Sequence, residues 1–425
     1  MKKNLLLIFI LLSSILKMTA QPWMWAPLNT GLQTATVGVD KISMVDSNVI
    51  WCISSYYAPV HEYARSTDGG ITWTTGVITT SSLHSNIDIA AIDSLTAYVV
   101  MYGSNGNNAI YKTVDGGATW LPSGAGTVFT QSASYPDAIY FWDAANGIVF
   151  GDPVNNVNEI YTTSDSGNTW VQVPAANLPV NPSPTVYNNS PMVVMDSMVW
   201  VITVDGTILR SADSGQHWTM SSTGAVGHFF YSIAFLDDKM SGLVVYGAGY
   251  SYKTIDGGIT WTLNTSTGDG PLNNIVSIPG TNYFVSNGGV STVKSSYSVD
   301  TGTTWITIDS GTTYFGMAFK DINNGFAGGT PTNGLGGIYK WAPKPVVGIN
   351  QLSNENKMQV YPNPVHDQLL IKGCNAFDVV NIINITGQIL TTHKINYAAT
   401  IDVSFLPSGL YFLKTENTVR KFVKQ

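Results

Sequence analysis

Four aspartates are placed where a carboxylate could serve as acid, base or nucleophile: Asp40, Asp88, Asp137 and Asp152. Two carboxyls flanking a glycosidic bond can hydrolyse it, one protonating the leaving oxygen while the other activates water or attacks. Asp40, Asp88 and Asp137 stand at or just before the starts of three successive apolar runs. Asp152 shares the segment GDPVNNVNE with Glu159, and Glu62 lies in SSYYAPVHEYA. Tyr56, Tyr57, Tyr187, Phe229 and Tyr314 offer ring faces that could stack on a sugar or contact a peptide. The same residues also fit plainer roles, because a carboxylate at a strand start caps a turn and an aromatic ring packs between layers. His61, His84 and His228 have no metal-ligand spacing, so no metal site is expected. Phosphate-cradling glycine loops, serine nucleophile elbows and local Cys/His signatures are absent, and no cofactor is expected.

These residues must be positioned by a repeat. Six octapeptides share Ser/Thr at the first place, Asp at the third, Gly at the fifth and Trp at the eighth: STDGGITW, TVDGGATW, TSDSGNTW, SADSGQHW, TIDGGITW and SVDTGTTW. Their aspartates are Asp68, Asp115, Asp165, Asp213, Asp256 and Asp300, at steps of 47, 50, 48, 43 and 44 residues. A period in that range marks a repeat architecture. Around each box run short apolar strands: one such as KISMVD or AIYFWD ending on an Asp turn, a second such as GIVFG, a third such as IYKT, and a fourth begun by the Trp. Four short strands per ~45 residues are the pattern of a β-propeller blade. A seventh unit, MAFKDINNGFAGG followed by GGIYKW, has three strands and no box. The segment Trp25–Gly31 resembles the stretch immediately downstream of a box, so the N-terminal strand is expected to complete that unit and leave no open edge. Six near-identical aspartates in turns read as structural, with Gly allowing the turn and Trp packing between blades. The turn aspartates Asp46, Asp93, Asp143, Asp196, Asp237 and Asp321 are discounted likewise.

The box S/T-x-D-x-G-x-T-W resembles the Asp-box, or bacterial neuraminidase repeat. That repeat occurs in sialidases, xyloglucanase-type glycoside hydrolases, sortilin-like receptors and photosystem II assembly factors. The resemblance covers about residues 22–345 and implies fold rather than function. A sialidase would need three arginines on its substrate carboxylate. The chain has three in all: Arg65 and Arg210, just before boxes, and Arg420, near the end. Sialidase activity is therefore not expected.

Composition narrows the partners. Charged residues make up only 11% of the 425 and the net charge is −7, which disfavours nucleic acid. The two cysteines, Cys52 and Cys374, exclude a disulfide framework. Lys2 and Lys3 precede an apolar run, Leu5 to Leu16, that reads as an export signal cleaved near Ala20. No other run approaches a membrane span, so no transmembrane segment is expected in the mature chain. After a polar linker comes a tail with YPNP (361–364), TGQ (386–388), LPSGLY (406–411) and the basic end RKFVK (420–424). These strings resemble the type A C-terminal sorting domain of the type IX secretion system of Bacteroidetes. That resemblance implies Sec export, outer-membrane passage and handling by the type IX machinery through 358–425.

The sequence thus predicts an all-β chain: signal peptide 1–20, seven-bladed Asp-box propeller 21–345, linker 346–357, and an immunoglobulin-like sorting sandwich 358–425. The expected function is binding of an extracellular glycan or protein without catalysis. The alternative is a glycoside hydrolase using Asp40, Asp88, Asp137 or Asp152.

Overall fold

The computed structural model describes residues 23–344 and 358–425, apart from 31, 33–37, 59, 81–83, 125, 181–185, 187–190, 248, 289–292, 332–335, 374–377 and 416–418. The expected signal peptide, the linker, Tyr187 and Cys374 lie outside the described residues. The chain divides into two compact units, 1–344 and 345–425. Helix among the described residues is limited to two short 3-10 turns, Ser104–Gly106 and Ala175–Asn177.

In the first unit the strands fall into seven sheets in chain order. The first contains Val39–Met44, Ile50–Ser54, Glu62–Ser66 and Thr74–Val77. The second and third begin at Ser85–Ala91 and Pro136–Phe141, and the fourth and fifth at Met192–Met195 and Phe230–Phe235. The sixth has five strands, because Thr267–Gly268 pairs in parallel with Thr304 and Trp305. The seventh combines Tyr314–Asp321, Asn324–Gly329 and Ile338–Pro343 with Trp23–Leu28, which pairs antiparallel from Trp23↔Pro343 to Leu28↔Ile338. Without that N-terminal strand, Ile338–Pro343 would present an open edge.

Each box is the turn between the third and fourth strands, and its hydrogen bonds explain its sequence. The first-place Ser or Thr hydroxyl donates to the Asp at 2.7–2.9 Å in all six. The same oxygen accepts the N–H of the fifth-place Gly at 2.8–3.0 Å. The seventh-place N–H donates to the carboxylate at 2.8–2.9 Å. The one departure from Thr, His217, still reaches Asp213 through Nδ1 at 2.7 Å. These donors hold the box carboxyls below the usual range; those of Asp68, Asp115 and Asp256 fall to about 2. The box Trp packs against the preceding sheet: Trp120 lies edge-on to Trp51, and Trp73 edge-on to Phe326 of the seventh sheet. Gly70, at φ +83°, sits where a Cβ would come within 2.7 Å of Phe326, so only glycine meets both the turn and the packing.

Two turn aspartates depart from expectation. In the fifth sheet the turn is capped by Asp238, which accepts from Met240 and Ser241 N–H, while Asp237 reaches out to Gly280 N–H. Asp196, at φ +50°, forms an ion pair with Lys239.

The second unit is two antiparallel sheets. One orders Gln359–Tyr361, Gln368–Lys372 and Ala398–Asp402; the other orders Ile389–Ile395, Asp378–Ile383, Gly409–Lys414 and Val419–Lys424. Alternate residues Leu369, Ile371, Val380, Ile382, Leu413 and Phe422 are fully buried between them.

Candidate functional site

Asp40 and Asp137 owe their aim to a repeated irregularity. In the first and third sheets the register between the first two strands shifts between Val39 and Lys41 and between Pro136 and Ala138, so each aspartate is the extra residue of a bulge. A bulge turns its side chain off the regular ladder. The second sheet has the same shift at the same place, between Asn86 and Asp88, where the extra residue is Ile87 and Asp88 follows it. The inner strands of these sheets pack side by side, which brings Lys41, Asp88 and Asp137 into one electrostatic cluster with Asp152.

The carboxylates of this cluster are not equivalent. Asp40 accepts the Tyr56 N–H at 3.1 Å and Asp88 accepts the Ile139 N–H at 3.1 Å, each tying one segment to the next. Burial raises the Asp88 carboxyl, against the pull of Lys41. Asp137 is 1% exposed, and neither of its oxygens has an aligned hydrogen-bond donor. Burial first, and then the neighbouring Asp152 carboxylate, hold Asp137 well above the usual range, with Lys41 opposing. Asp152 is pushed up to about 6 by burial, offset by the Val186 N–H that donates to it at 2.8 Å. The two carboxyls are therefore coupled and titrate as a pair. The Val186 bond is not legible from sequence spacing, since it joins residues 34 apart.

The other candidates separate. Glu159 is buried; Tyr161 Oη donates to its Oε1 at 3.1 Å while Oε2 has no partner. Glu62 is buried in the first sheet, on a strand where consecutive residues on both faces are covered. Tyr314 is a correction: it is 2% exposed, packed against Trp25 and Tyr339, and its hydroxyl donates to Asp309. It belongs to the core of the seventh sheet rather than to a contact surface. Tyr57 and Phe229 are exposed, at 81% and 65%, and Tyr56 stands edge-on to Tyr57 at 5.0 Å. Among the described residues no group of three His, Cys, Asp or Glu is arranged to hold a metal ion.

A cavity of about 450 Å³ opens elsewhere, at the box ends of the third and fourth sheets. Trp142, Asp143, Thr162, Asp196, Ser214 and Gln216 contribute to its wall. Two of these residues, Asp143 and Asp196, are turn aspartates that the sequence alone reads as structural.

Residues 359–425 match the family described as the secretion system C-terminal sorting domain. The tail is a sorting domain. Such a tail implies secretion to the cell surface or exterior. Among solved structures the chain is similar to YCF48 bound to D1 peptide, with 17% identity and TM-score 0.55 over 76% of this chain and 95% of that one. It is similar to PorZ, a surface component of the type IX secretion system of Porphyromonas gingivalis, with 15% identity and TM-score 0.52, covering 90% of this chain and 59% of that one. It is also similar to an ancestral GH74 enzyme, with 13% identity and TM-score 0.53, over 94% and 63%. At these identities the likeness is one of fold: the first unit has the β-propeller fold. Comparison with curated proteins gives no match.

Proposed function

We propose that this chain is an exported, surface-located or released propeller that binds an extracellular glycan or protein without catalysis. In this reading the seven sheets are seven blades of a closed ring, the six boxes are Asp-boxes fastening it, and Trp23–Leu28 seals the seam. The sorting tail on 359–425, joined to a propeller unit, is the observation that carries the reading. Packing between the first strands of the seventh and first sheets supports closure.

The glycosidase alternative draws on Asp152, whose carboxyl near 6 would suit a general acid. Against it, Asp137 and Asp152 are coupled closely enough to share a proton, whereas a glycosidase keeps its carboxyls roughly 5–10 Å apart with sugar between them. Asp137 is also closed off from solvent.

The test is a glycan and protein array probed with the mature chain, alongside hydrolysis assays on a polysaccharide panel. Binding without hydrolysis is expected. Hydrolysis abolished by Asp152→Asn would establish the alternative, and a blank array would remove the binding reading. Deleting 358–425 should strand the protein in the periplasm; unchanged surface delivery would contradict the proposed route.

A further inference from the structure

The residue just before the box has a recurring job. It is Arg65, Lys112, Arg210 and Lys253 before four of the six boxes, and Lys340 holds the same place on the third strand of the box-less seventh sheet. Four of the five head groups reach across to the following sheet. Lys112 Nζ donates to Ser166 O at 3.0 Å, Lys253 Nζ to Thr301 Oγ1 at 2.8 Å and Lys340 Nζ to Gly69 O at 2.7 Å. Arg65 Nη1 donates to Ser94 O. Three of these cations also lie over a ring on the neighbouring strand: Arg65 over Trp51 at 5.4 Å, Lys112 over Tyr98 at 5.2 Å and Lys340 over Phe326 at 5.7 Å. A cation held by a carbonyl and a ring face is a favourable, partly desolvated arrangement.

The sixth sheet has the buried ring of Tyr297 there, and the third sheet has neither cation nor ring. Its residue before the box is Thr162, and the ring position opposite it is Ile148. The cavity of about 450 Å³ lies beside this missing clamp, with Thr162 in its wall. The receiving position is intact. Ser166, Thr301 and Gly69 occupy the fourth place of the next box, all in the left-handed region at φ +63°, +58° and +72°. Ser214 is the fourth-place residue of the fourth sheet's box, has φ +57°, and lines the cavity.

The cavity also has a residue that the corresponding positions of other sheets lack. The residue before the turn aspartate is Val45, Ile92, Met195, Leu236 and Lys320 in other sheets, but Trp142 in the third. Trp142 lines the cavity, its Nε1 fixed on Asp196 O at 2.6 Å. Asp143 and Asp196 add carboxylates. Asp143 is kept ionised below the usual range by donors from Asn146 and Ala145. Lys239 pairs with Asp196 from outside, and Gln216 Nε2 bonds Thr162 Oγ1 at 3.3 Å. A volume of that size is ordinary for a ligand pocket and large for a packing defect.

We propose that this cavity is a binding site for an alkylammonium or guanidinium group, which takes the place left by the absent Lys or Arg clamp. The group would bond Ser214, face Trp142 and be neutralised by Asp143. The occupant is a lysine or arginine side chain of a partner, or a small free amine; both present the same chemistry. The site is independent of the Asp137 and Asp152 cluster, so failure of either leaves the other standing.

The experiment is calorimetric titration of the mature chain with n-butylammonium, Nα-acetyl-lysine amide, Nα-acetyl-arginine amide and the neutral Nα-acetyl-norleucine amide. The cations should bind at least tenfold more tightly than the norleucine control, less tightly as salt rises. Binding of n-butylammonium together with the amides points to free amines; binding of the amides alone points to a partner side chain. Thr162→Lys should supply the clamp from within, abolishing binding while leaving the melting temperature unchanged or higher. Trp142→Leu, as a second variant, should weaken cation binding at least threefold in a protein that still melts cooperatively. Equal affinity for the norleucine control, no cation binding at all, or full affinity in folded Thr162→Lys would each overturn the proposal.

Discussion

Replacing Trp25 tests whether the N-terminal strand is integral to the propeller. Trp25 is 4% exposed, with its ring centroid 5.0 Å from Trp341, 5.7 Å from Tyr314 and 5.8 Å from Phe319. Truncating a buried Trp to Ala costs about 3–5 kcal/mol through lost burial and the cavity left behind. The unfolding entropy near the midpoint is about 2 cal/mol/K per residue, so a unit of roughly 320 residues has about 0.7 kcal/mol/K. A loss of about 4 kcal/mol then lowers the melting temperature by about 6 °C. Trp25→Phe should lose far less, about 1–2 kcal/mol, because Nε1 is buried without a hydrogen-bond partner and only ring volume is given up. The assay is differential scanning calorimetry of the mature chain, with Trp23→Ala beside it. Trp23 stacks on Trp341 at 5.3 Å but is only half-buried, so its variant should fall between the other two. A Trp25→Ala protein melting within 1 °C of the parent would mean that the strand is an appendage, and the closed-ring reading would fall with it.

The carboxyls and the thiol give further expected outcomes. The folded state raises Asp152 to about 6 from an unfolded value near 4, so it binds more protons than the unfolded chain in that interval. Its contribution is present below pH 4 and is lost as pH rises through 6, an effect of about 2 kcal/mol between pH 4 and 7; urea titrations at pH 4 and 7 should show that loss, and Asp152→Asn should flatten it. The box carboxyls act in the opposite sense, since Asp256 is lowered to about 2: its contribution is present above pH 4 and lost as pH falls toward 2. Asp256→Ala removes the acceptor for Ile259 N–H, Thr260 N–H and two hydroxyls, and should cost about 1–2 kcal/mol at pH 7 by chemical denaturation. Cys52 is fully buried and burial raises its thiol, so in a Cys374→Ser background a thiol reagent should label it only as fast as the protein unfolds.

The repeat was legible in the sequence because its constraints are local. Asp, Gly and Ser/Thr satisfy one another within a single turn, so the same letters recur wherever that turn is needed. The pairing of Trp23–Leu28 with Ile338–Pro343 was also legible, since a unit lacking its fourth strand announces the need for one. What escaped was relational. Tyr314 looks like any loop aromatic until the strands converge on it. The bulges that aim Asp40 and Asp137 leave no composition signal. Thr162 is ordinary by itself and acquires meaning only beside Lys112 and Arg210, one repeat away on either side. Consensus shows what the scaffold requires, and a departure from it shows where that requirement has lapsed.

The antiparallel pairing at Ile338–Pro343 also has a mechanical consequence. Traction applied through the tail enters the propeller at Pro343, directly opposite Trp23, the outer end of the paired strand. A pull across the strands would load the interstrand bonds one after another, like a zipper drawn from its open end, whereas a pull along them would shear all of them together. The Trp23 and Trp341 stack is the first packed contact in its path. The seventh sheet is therefore the point at which a pull on the sorting tail would be felt first, and the sheet on whose aromatic packing resistance to that pull depends.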